Sequence, residues 1–428
     1  MTQALRHDAM RARNLALVLG AVGARGSVTR AALAEMTGLT KTTVSKLVGD
    51  LIEGGLVVET GAVRDGERGR PGVEIRISGQ HVAALGLEIN VDYLAVCVVD
   101  LARTVRLRRT QAVDNRAAPP VDVIARLGDL VASVVDEAVE KGLRVVAGVL
   151  AVPGPVDMTS GVVHNAPNLG WRDVPLASLL RFPFPVRVEN EANLAALGEL
   201  WFGSGLPDFL HVSGEIGIGA GLVVRGRLFR GAHGFAGELG HVVVSPAGPP
   251  CRCGGRGCLE QYAGQDALLT AARATASVRP AAGASPAGAC GNAPAGPPHK
   301  AGDAAGPPSP GMLLPAQQGV SWMLSRLREG DQNARAACER AAWALGVALS
   351  SAVNLVDPDA IVLGGIYAPL FPWIGDTVAD TLKARLGQMR GAVPPVVVSR
   401  LGAEAAALGA AGQVIEQVMA DPAALLHG

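Results

Sequence analysis

Residues 237–260 read GELGHVVVSPAGPPCRCGGRGCLE. Within them His241, Cys251, Cys253 and Cys258 form an H-x9-C-x-C-x4-C array. Three thiolates and one imidazole are a closed tetrahedral donor set for Zn2+, with no position left open for catalysis. Gly254, Gly255 and Gly257 relax the backbone so that the last sulfur can fold back onto the ion. Glu238 stands three residues before the histidine and Glu260 two after the last cysteine. The loop is thus bracketed by carboxylates outside its donor set, and the function turns on what they hold.

The whole chain sets bounds on the answer. Its 428 residues exceed one core, so two or three domains are expected. Lys and Arg number 38 and Asp and Glu 38, which excludes a basic nucleic-acid binder overall but allows a local patch. No apolar run approaches the ~18–20 residues of a membrane span. The first residues, MTQALRHDAMRARNLALVLG, carry charges but no apolar export segment with a cleavage site, so a soluble cytoplasmic protein is expected. Cys97, Cys290 and Cys338 stand apart from the array and are expected to stay reduced.

Residues 1–80 read as a winged helix–turn–helix. Leu15, Val18, Leu19 and Val22 share one helical face. Thr29 can cap a second helix with Leu33 and Met36 inward, and Gly38 turns the chain. Thr40 starts a third helix whose stripe is Val44, Leu47, Val48, Leu51 and Ile52. Its other face offers Lys41, Thr42, Ser45 and Lys46, polar where a recognition helix meets base edges. Residues 56–60 and 73–77 alternate as strands around the loop GAVRDGERGRPG, which places Arg64, Arg68 and Arg70 to reach phosphates or a minor groove. The competing reading is a helical protein-interaction module with a solvated hairpin. The basic excess on the third helix and wing, within 11 Lys/Arg against 8 Asp/Glu in these residues, favours DNA.

Residues 81–428 alternate strands and helices. Three strands fall in 83–112, a helix near 121–141, a strand ending at Pro153-Gly154-Pro155, and the strand VRVEN running into the helix EANLAALGELWF. This is an α/β architecture, expected as two lobes around a cleft. About residues 272–316 are dominated by Ala, Gly and Pro; they read as a disordered insertion.

On these motifs the chain resembles the ROK family (repressors, open reading frames and kinases), in its transcriptional-regulator branch. The resemblance spans residues 14–418 apart from the insertion. It rests on GELGHVVV…CRCGGRGCLE, with VPGPVD, NLGW, VENEAN, IGIGAG and VLGG in support. It implies an actin-like, ribonuclease-H-type fold and zinc on His241, Cys251, Cys253 and Cys258. It also implies sugar contacts from Asn168, Asn190, Glu191, Glu238, His241 and Glu260. Carboxylates accept from adjacent hydroxyls, and an Asn both donates and accepts. His241 would give one nitrogen to zinc and the other to a hydroxyl, so the metal is structural and orients the wall. Set against these, the cysteines could be metal-free, and Asn190 and Glu191 could serve only as a helix N-cap. His164, His211 and His233 read as surface or core histidines, with His233 the one placed to border the cleft.

The same resemblance separates sensor from kinase. Family kinases carry an Asp-x-Gly-Gly-Thr hairpin, whose glycine amides cradle phosphate. Here it reads Glu88-Ile89-Asn90-Val91-Asp92, and Glu215-Ile216 replaces a Gly-Thr before Gly217. Glu191 stands at the general-base position of the kinases, one methylene longer than their Asp. No catalytic residue is therefore assigned. The expectation is a sugar-responsive DNA-binding regulator, a repressor with operator DNA and a monosaccharide as partners, acting as a homodimer or dimer of dimers away from any membrane. The alternatives are an ATP-dependent sugar kinase with an accessory DNA-binding domain, and a regulator whose lobes sense a protein.

Overall fold

The computed structural model describes residues 2–63, 72–232, 234–274, 316–388 and 390–426. The first unit comprises α1 (Thr2–Arg25), β1 (Val28–Thr29), α2 (Arg30–Thr37), α3 (Lys41–Glu53), β2 (Val57–Val63) and β3 (Gly72–Ile77). The Thr29 hydroxyl accepts from the Ala32 N–H and Thr40 from Thr43, so both helices start where their caps predict. Gly38 ends α2 at φ 70°, a conformation that suits glycine. Leu15, Val18, Leu19, Val22, Leu33, Val44, Leu47, Val48 and Leu51 make the core. Two expected core residues point outward: Met36 is 44% and Ile52 36% exposed. Met36 lies in the last turn of a short helix, and Ile52 sits about 100° around α3 from Leu51, at the edge of the stripe. Helix α1 begins well before Leu15, the first residue of the apolar face, because its polar first half carries no apolar stripe to read.

The first lobe contains β4 (Val82–Ile89), β5 (Tyr93–Asp100), β6 (Val105–Ala112), α4 (Pro120–Glu140), β7 (Arg144–Val152), β8 (Val163–Ala166), β9 (Trp171–Val174), α5 (Leu176–Leu179) and β10 (Val186–Asn190). Then α6 (Glu191–Phe202) leads into the second lobe. There follow β11 (Phe209–Gly214), β12 (Ile218–Val224), β13 (Arg227–Phe229), α7 (Glu260–Ala263), α8 (Gln265–Arg273), α9 (Ala316–Arg328), α10 (Gln332–Val356), β14 (Ala360–Gly365), α11 (Tyr367–Leu386), β15 (Val396–Val398), α12 (Ala405–Ala420) and α13 (Ala423–Leu426). The expected insertion at 272–316 lies almost wholly outside the described residues; Ala272 and Arg273 close α8, and Ala316 opens α9.

Both lobes use one sheet plan. In the first, β4, β5 and β6 form an antiparallel meander, with β7 parallel to β4 and β10 parallel to β7. In the second, β11, β12 and β13 repeat the meander, with β14 parallel to β11 and β15 parallel to β14. Strands β4 and β5 are buried along their whole length, as a sheet covered on both faces requires. The chain end returns to the first lobe, where α12 packs on α6 and β4. The approach is backbone to backbone: a Cβ at Gly409 would lie 1.8 Å from the Leu194 carbonyl, and one at Gly198 2.1 Å from that of Ala405. A single apolar core joins α1–α3, the underside of β4, β5 and β7, α6 and α12. Among the described residues no helix is long and apolar enough to cross a membrane.

Candidate ligand cleft and metal centre

Strand β10 runs without a loop into α6, which puts Asn190 at the helix cap. Its Oδ1 accepts from the Asn193 N–H at 3.1 Å, and its Nδ2 donates to the Gly154 carbonyl at 2.9 Å. Glu191 then heads the helix, where the positive end of the helix dipole favours an acid. The cap is therefore present, and the same two residues also face open space. Asn168, Asn190, Glu191, Glu238, His241 and Glu260 line one cleft of about 370 Å³ between the lobes.

The loop after β13 carries the cysteines. It is pinned by bridges from Val243 to Cys258 and from Pro250 to Arg256. Gly257 is required there: at φ 67°, a Cβ would meet the Ser245 carbonyl at 1.6 Å. One donor atom each from His241, Cys251, Cys253 and Cys258 lies within 4.8 Å of all the others. Cys253 and Cys258 sulfurs are 3.7 Å apart, and His241 Nδ1 is 3.8 Å from Cys251 Sγ. Tetrahedral zinc with Zn–S bonds of about 2.3 Å needs sulfurs about 3.8 Å apart, so these residues fit the ion. His241 Nε2 faces the other way, 4.0 Å from Glu238 Oε2. Burial lifts the Glu238 carboxyl above its ordinary range; His241 opposes the shift and Glu260 adds to it.

Behind Glu191 a smaller cavity is lined by Glu88, Glu191, Glu215 and Ser213, with Gly402 from the turn before α12 and Ala405 and Ala406 from its start. Tyr93 donates to Glu88 Oε1 at 2.7 Å. Burial pushes Glu88 up to about 7, and burial together with Glu88 and Asp92 pushes Glu215 up to about 8. Glu191 is raised well above the carboxylate range by burial, then by Glu215 and Glu88. Three acids converge here, one of them, Glu88, only 3% exposed. A phosphate would meet like charge or neutral carboxyls in this space.

On α3, Lys41, Thr42, Ser45 and Lys46 are exposed on the face opposite Val44 and Leu47. Arg68 and Arg70, with Arg64, lie outside the described residues, as do His233 and Cys290. Cys97 and Cys338 are buried free thiols. His211 is fully buried and pulled down to about 4 by burial, a neutral core histidine. His164, by contrast, borders the cleft, 3.5 Å from an Asp173 oxygen and stacked on Phe235. Sequence reasoning also passed over Arg252, which reaches Asn168 across the cleft. Nothing in its neighbourhood flags a residue lying between two candidate metal ligands.

Comparison with known proteins agrees with this fold. A MarR family model matches residues 15–68, and a ROK family model matches residues 84–417. A xylose repressor from Caldicellulosiruptor bescii is 27% identical over 97% of this chain and 98% of its own. A glucokinase from Streptomyces coelicolor is 32% identical over 76% of this chain and 97% of its own. The crystal structure of a ROK family transcriptional regulator, a homologue of the E. coli MLC protein, shares the fold. Its TM-score is 0.71 at 24% identity, covering 98% of this chain and 100% of that one. With its two-lobed body matched from residue 84 to residue 417, the chain belongs to the ROK family.

Proposed function

We propose that this protein is a sugar-responsive transcriptional repressor. Its α3 reads an operator through Lys41, Thr42, Ser45 and Lys46, with Arg68 and Arg70, outside the described residues, adding phosphate or minor-groove contacts. The interlobe cleft binds a monosaccharide or derivative through Asn168, Asn190, Glu191, Glu238, His241 and Glu260. The observation that carries the reading is the meeting of these six polar side chains in one cleft, on a body whose core is continuous with the helix–turn–helix. The xylose repressor that matches 97% of this chain supports the same reading and makes pentoses a first ligand class to try.

Zinc on His241, Cys251, Cys253 and Cys258 would supply structural bracing. The residues themselves do the recognising: Glu238 and Glu260 accept from hydroxyls, and His241 Nε2 is left for the ligand when Nδ1 faces the cysteines. Helix α12 offers a route out of the cleft. Its first turn lines the acid cavity behind Glu191, and Ile415, Glu416 and Met419 near its far end face Gly20 and Gly23 of α1. A ligand that prefers one lobe arrangement would shift α12 and with it the DNA-binding helices. Two such units in a homodimer would read two half-sites.

The glucokinase relative favours a second reading, phosphotransfer. Against it stand Asp92 and Glu215, acids where phosphate-binding hydroxyls would be needed, and a Glu191 whose carboxyl is raised by burial and by Glu215 and Glu88 beside it. Calorimetry against pentoses, hexoses and N-acetylhexosamines, with operator binding measured in parallel, tests the proposal. Binding of one sugar with release of the operator is the expected outcome; no sugar binding at millimolar concentration would overturn it.

A further inference from the structure

Arg252 stands between two of the four candidate metal ligands, in the second lobe, and is exposed. Its Nη1 donates to Asn168 Oδ1 at 3.1 Å. Asn168 belongs to the turn between β8 and β9, whose neighbours Leu169 and Trp171 are buried in the core of the first lobe. The bond therefore crosses the cleft from lobe to lobe. Among the described residues no carboxylate forms an ion pair with Arg252, so Asn168 is the one partner seen for its charge.

A guanidinium has five donors and no acceptor. Only the carbonyl end of a carboxamide can face it, which fixes the orientation of Asn168. Its Nδ2 is then the end left for a ligand. That group has a close neighbour of opposite character. A Cβ built on Gly217 would lie 2.7 Å from Glu260 Oε2 and 3.4 Å from Asn168 Nδ2. Donor and acceptor thus converge over one glycine that leaves the space between them open. A hydroxyl both donates and accepts, and this pair matches one hydroxyl or two adjacent ones.

We propose that Arg252 is a positioning and specificity-determining residue of the cleft: it clamps Asn168 from the opposite lobe and makes it a hydrogen-bond donor to the ligand beside Glu260. The inference rests on the sugar-binding reading above. It ties the metal loop to ligand recognition by a second route, apart from His241. Removal of the clamp frees the Asn168 amide to rotate, so the site loses its distinction between a ligand oxygen that accepts and one that must donate.

The test is calorimetry of wild type, Arg252→Ala, Arg252→Lys, Asn168→Ala and the Ala/Ala double variant. The ligands are a panel of pentoses, hexoses and N-acetylhexosamines, with the monodeoxy analogues of whichever sugar binds. Arg252→Ala is expected to weaken binding by about ten-fold. It should weaken binding no further in the Asn168→Ala background, and it should flatten the discrimination among monodeoxy analogues. Arg252→Lys, which keeps a donor, should restore part of the loss. Metal content and melting temperature should match wild type, which a merely structural role for Arg252 would not predict. Unchanged affinity in Arg252→Ala, or losses that simply add in the double variant, would overturn the inference while leaving the sugar site standing. A wild type that binds no sugar of the panel would instead sink the sensing reading, and this inference with it.

Discussion

Arg116 Nη2 lies 2.6 Å from a carboxylate oxygen of Asp92, whose side chain is only 7% exposed. Asp92 lies in the hairpin between β4 and β5, the stretch that cradles phosphate in family kinases, and Arg116 reaches it from the segment between β6 and α4. The hairpin here has no glycine, and a carboxylate with its own cation stands where a Thr hydroxyl would meet phosphate. The expected outcome is that ATP, Mg2+ and the cognate sugar give no ADP release above the sugar-free background. Turnover near the ~1–10 s⁻¹ of ordinary enzymes would contradict it.

The same pair predicts a stability cost. Arg116→Ala leaves Asp92 nearly buried with this ion pair removed. Such a change costs about 1–3 kcal/mol, discounted here because the arginine is itself a third exposed. Urea denaturation should register the loss, and Asp92→Asn in the same background should recover part of it.

Stability should depend on pH in a direction set by the acid cavity. Glu88 and Glu215 have ordinary values of 4.5 and are raised to about 7 and about 8 in the folded protein. Between pH 4.5 and 8 the folded state binds more protons than the unfolded one, so their contribution is full at the acid end and is lost as pH rises. Glu215→Gln should therefore raise the melting temperature at pH 8 more than at pH 5. An equal shift at both pH values would mean the carboxyl is ionised throughout.

Metal removal should separate the two functions. Cys258→Ser breaks the donor set at a residue 1% exposed. Metal content should fall from about one zinc per chain to near none. Sugar affinity should fall with it, because His241 and Glu260 sit on the freed loop, while operator binding without sugar should persist. Full sugar affinity in a metal-free variant would remove the brace from the account.

The sequence was most legible where periodicity and chemistry coincide. Thr29 and Thr40 cap their helices as read, and the strand-to-helix junction at Asn190 is where VENEAN suggests. It was least legible where tertiary placement decides. Ile52 shares the residue type of the α3 stripe but sits off its centre, and Met36 has no partner in the short α2. His164 gave no sign of the cleft because β8 and β9, a ribbon inserted in the first lobe, carry it there. The acid cavity joins Glu88, Glu191 and Glu215, far apart in the chain; the hairpin substitutions hinted at lost phosphate binding but not at their convergence.

Operator binding should be electrostatic in a countable way. Lys41 and Lys46 are exposed near the start of α3, on the face away from its buried stripe. If each meets a phosphate, Lys41→Ala and Lys46→Ala should each reduce the slope of log affinity against log salt by about one. Thr42→Ala should instead change base preference with little effect on that slope. A slope unchanged in both lysine variants would put the DNA surface elsewhere.

Arg103 joins the far end of α12 to the first lobe. It pairs with Glu416 and stacks against Trp201 and Phe202 at the end of α6. Both helices begin at the acid cavity behind the cleft: Glu191 heads α6, and Ala405 heads α12. Met419, one turn on from Glu416, abuts Gly23 of α1, where an added Cβ would lie 2.8 Å away. Arg103 touches neither the cleft nor α3, so Arg103→Ala should leave sugar affinity and sugar-free operator affinity near wild type. It should shrink the ratio of operator affinities without and with sugar, because α6 is no longer tied to α12 at the end where α12 meets α1. Coupling of this kind is worth about 1–3 kcal/mol, so the ratio should fall by about five-fold or more. Operator titrations at zero and saturating sugar measure it, and an unchanged ratio would show that the signal leaves the cleft by another path.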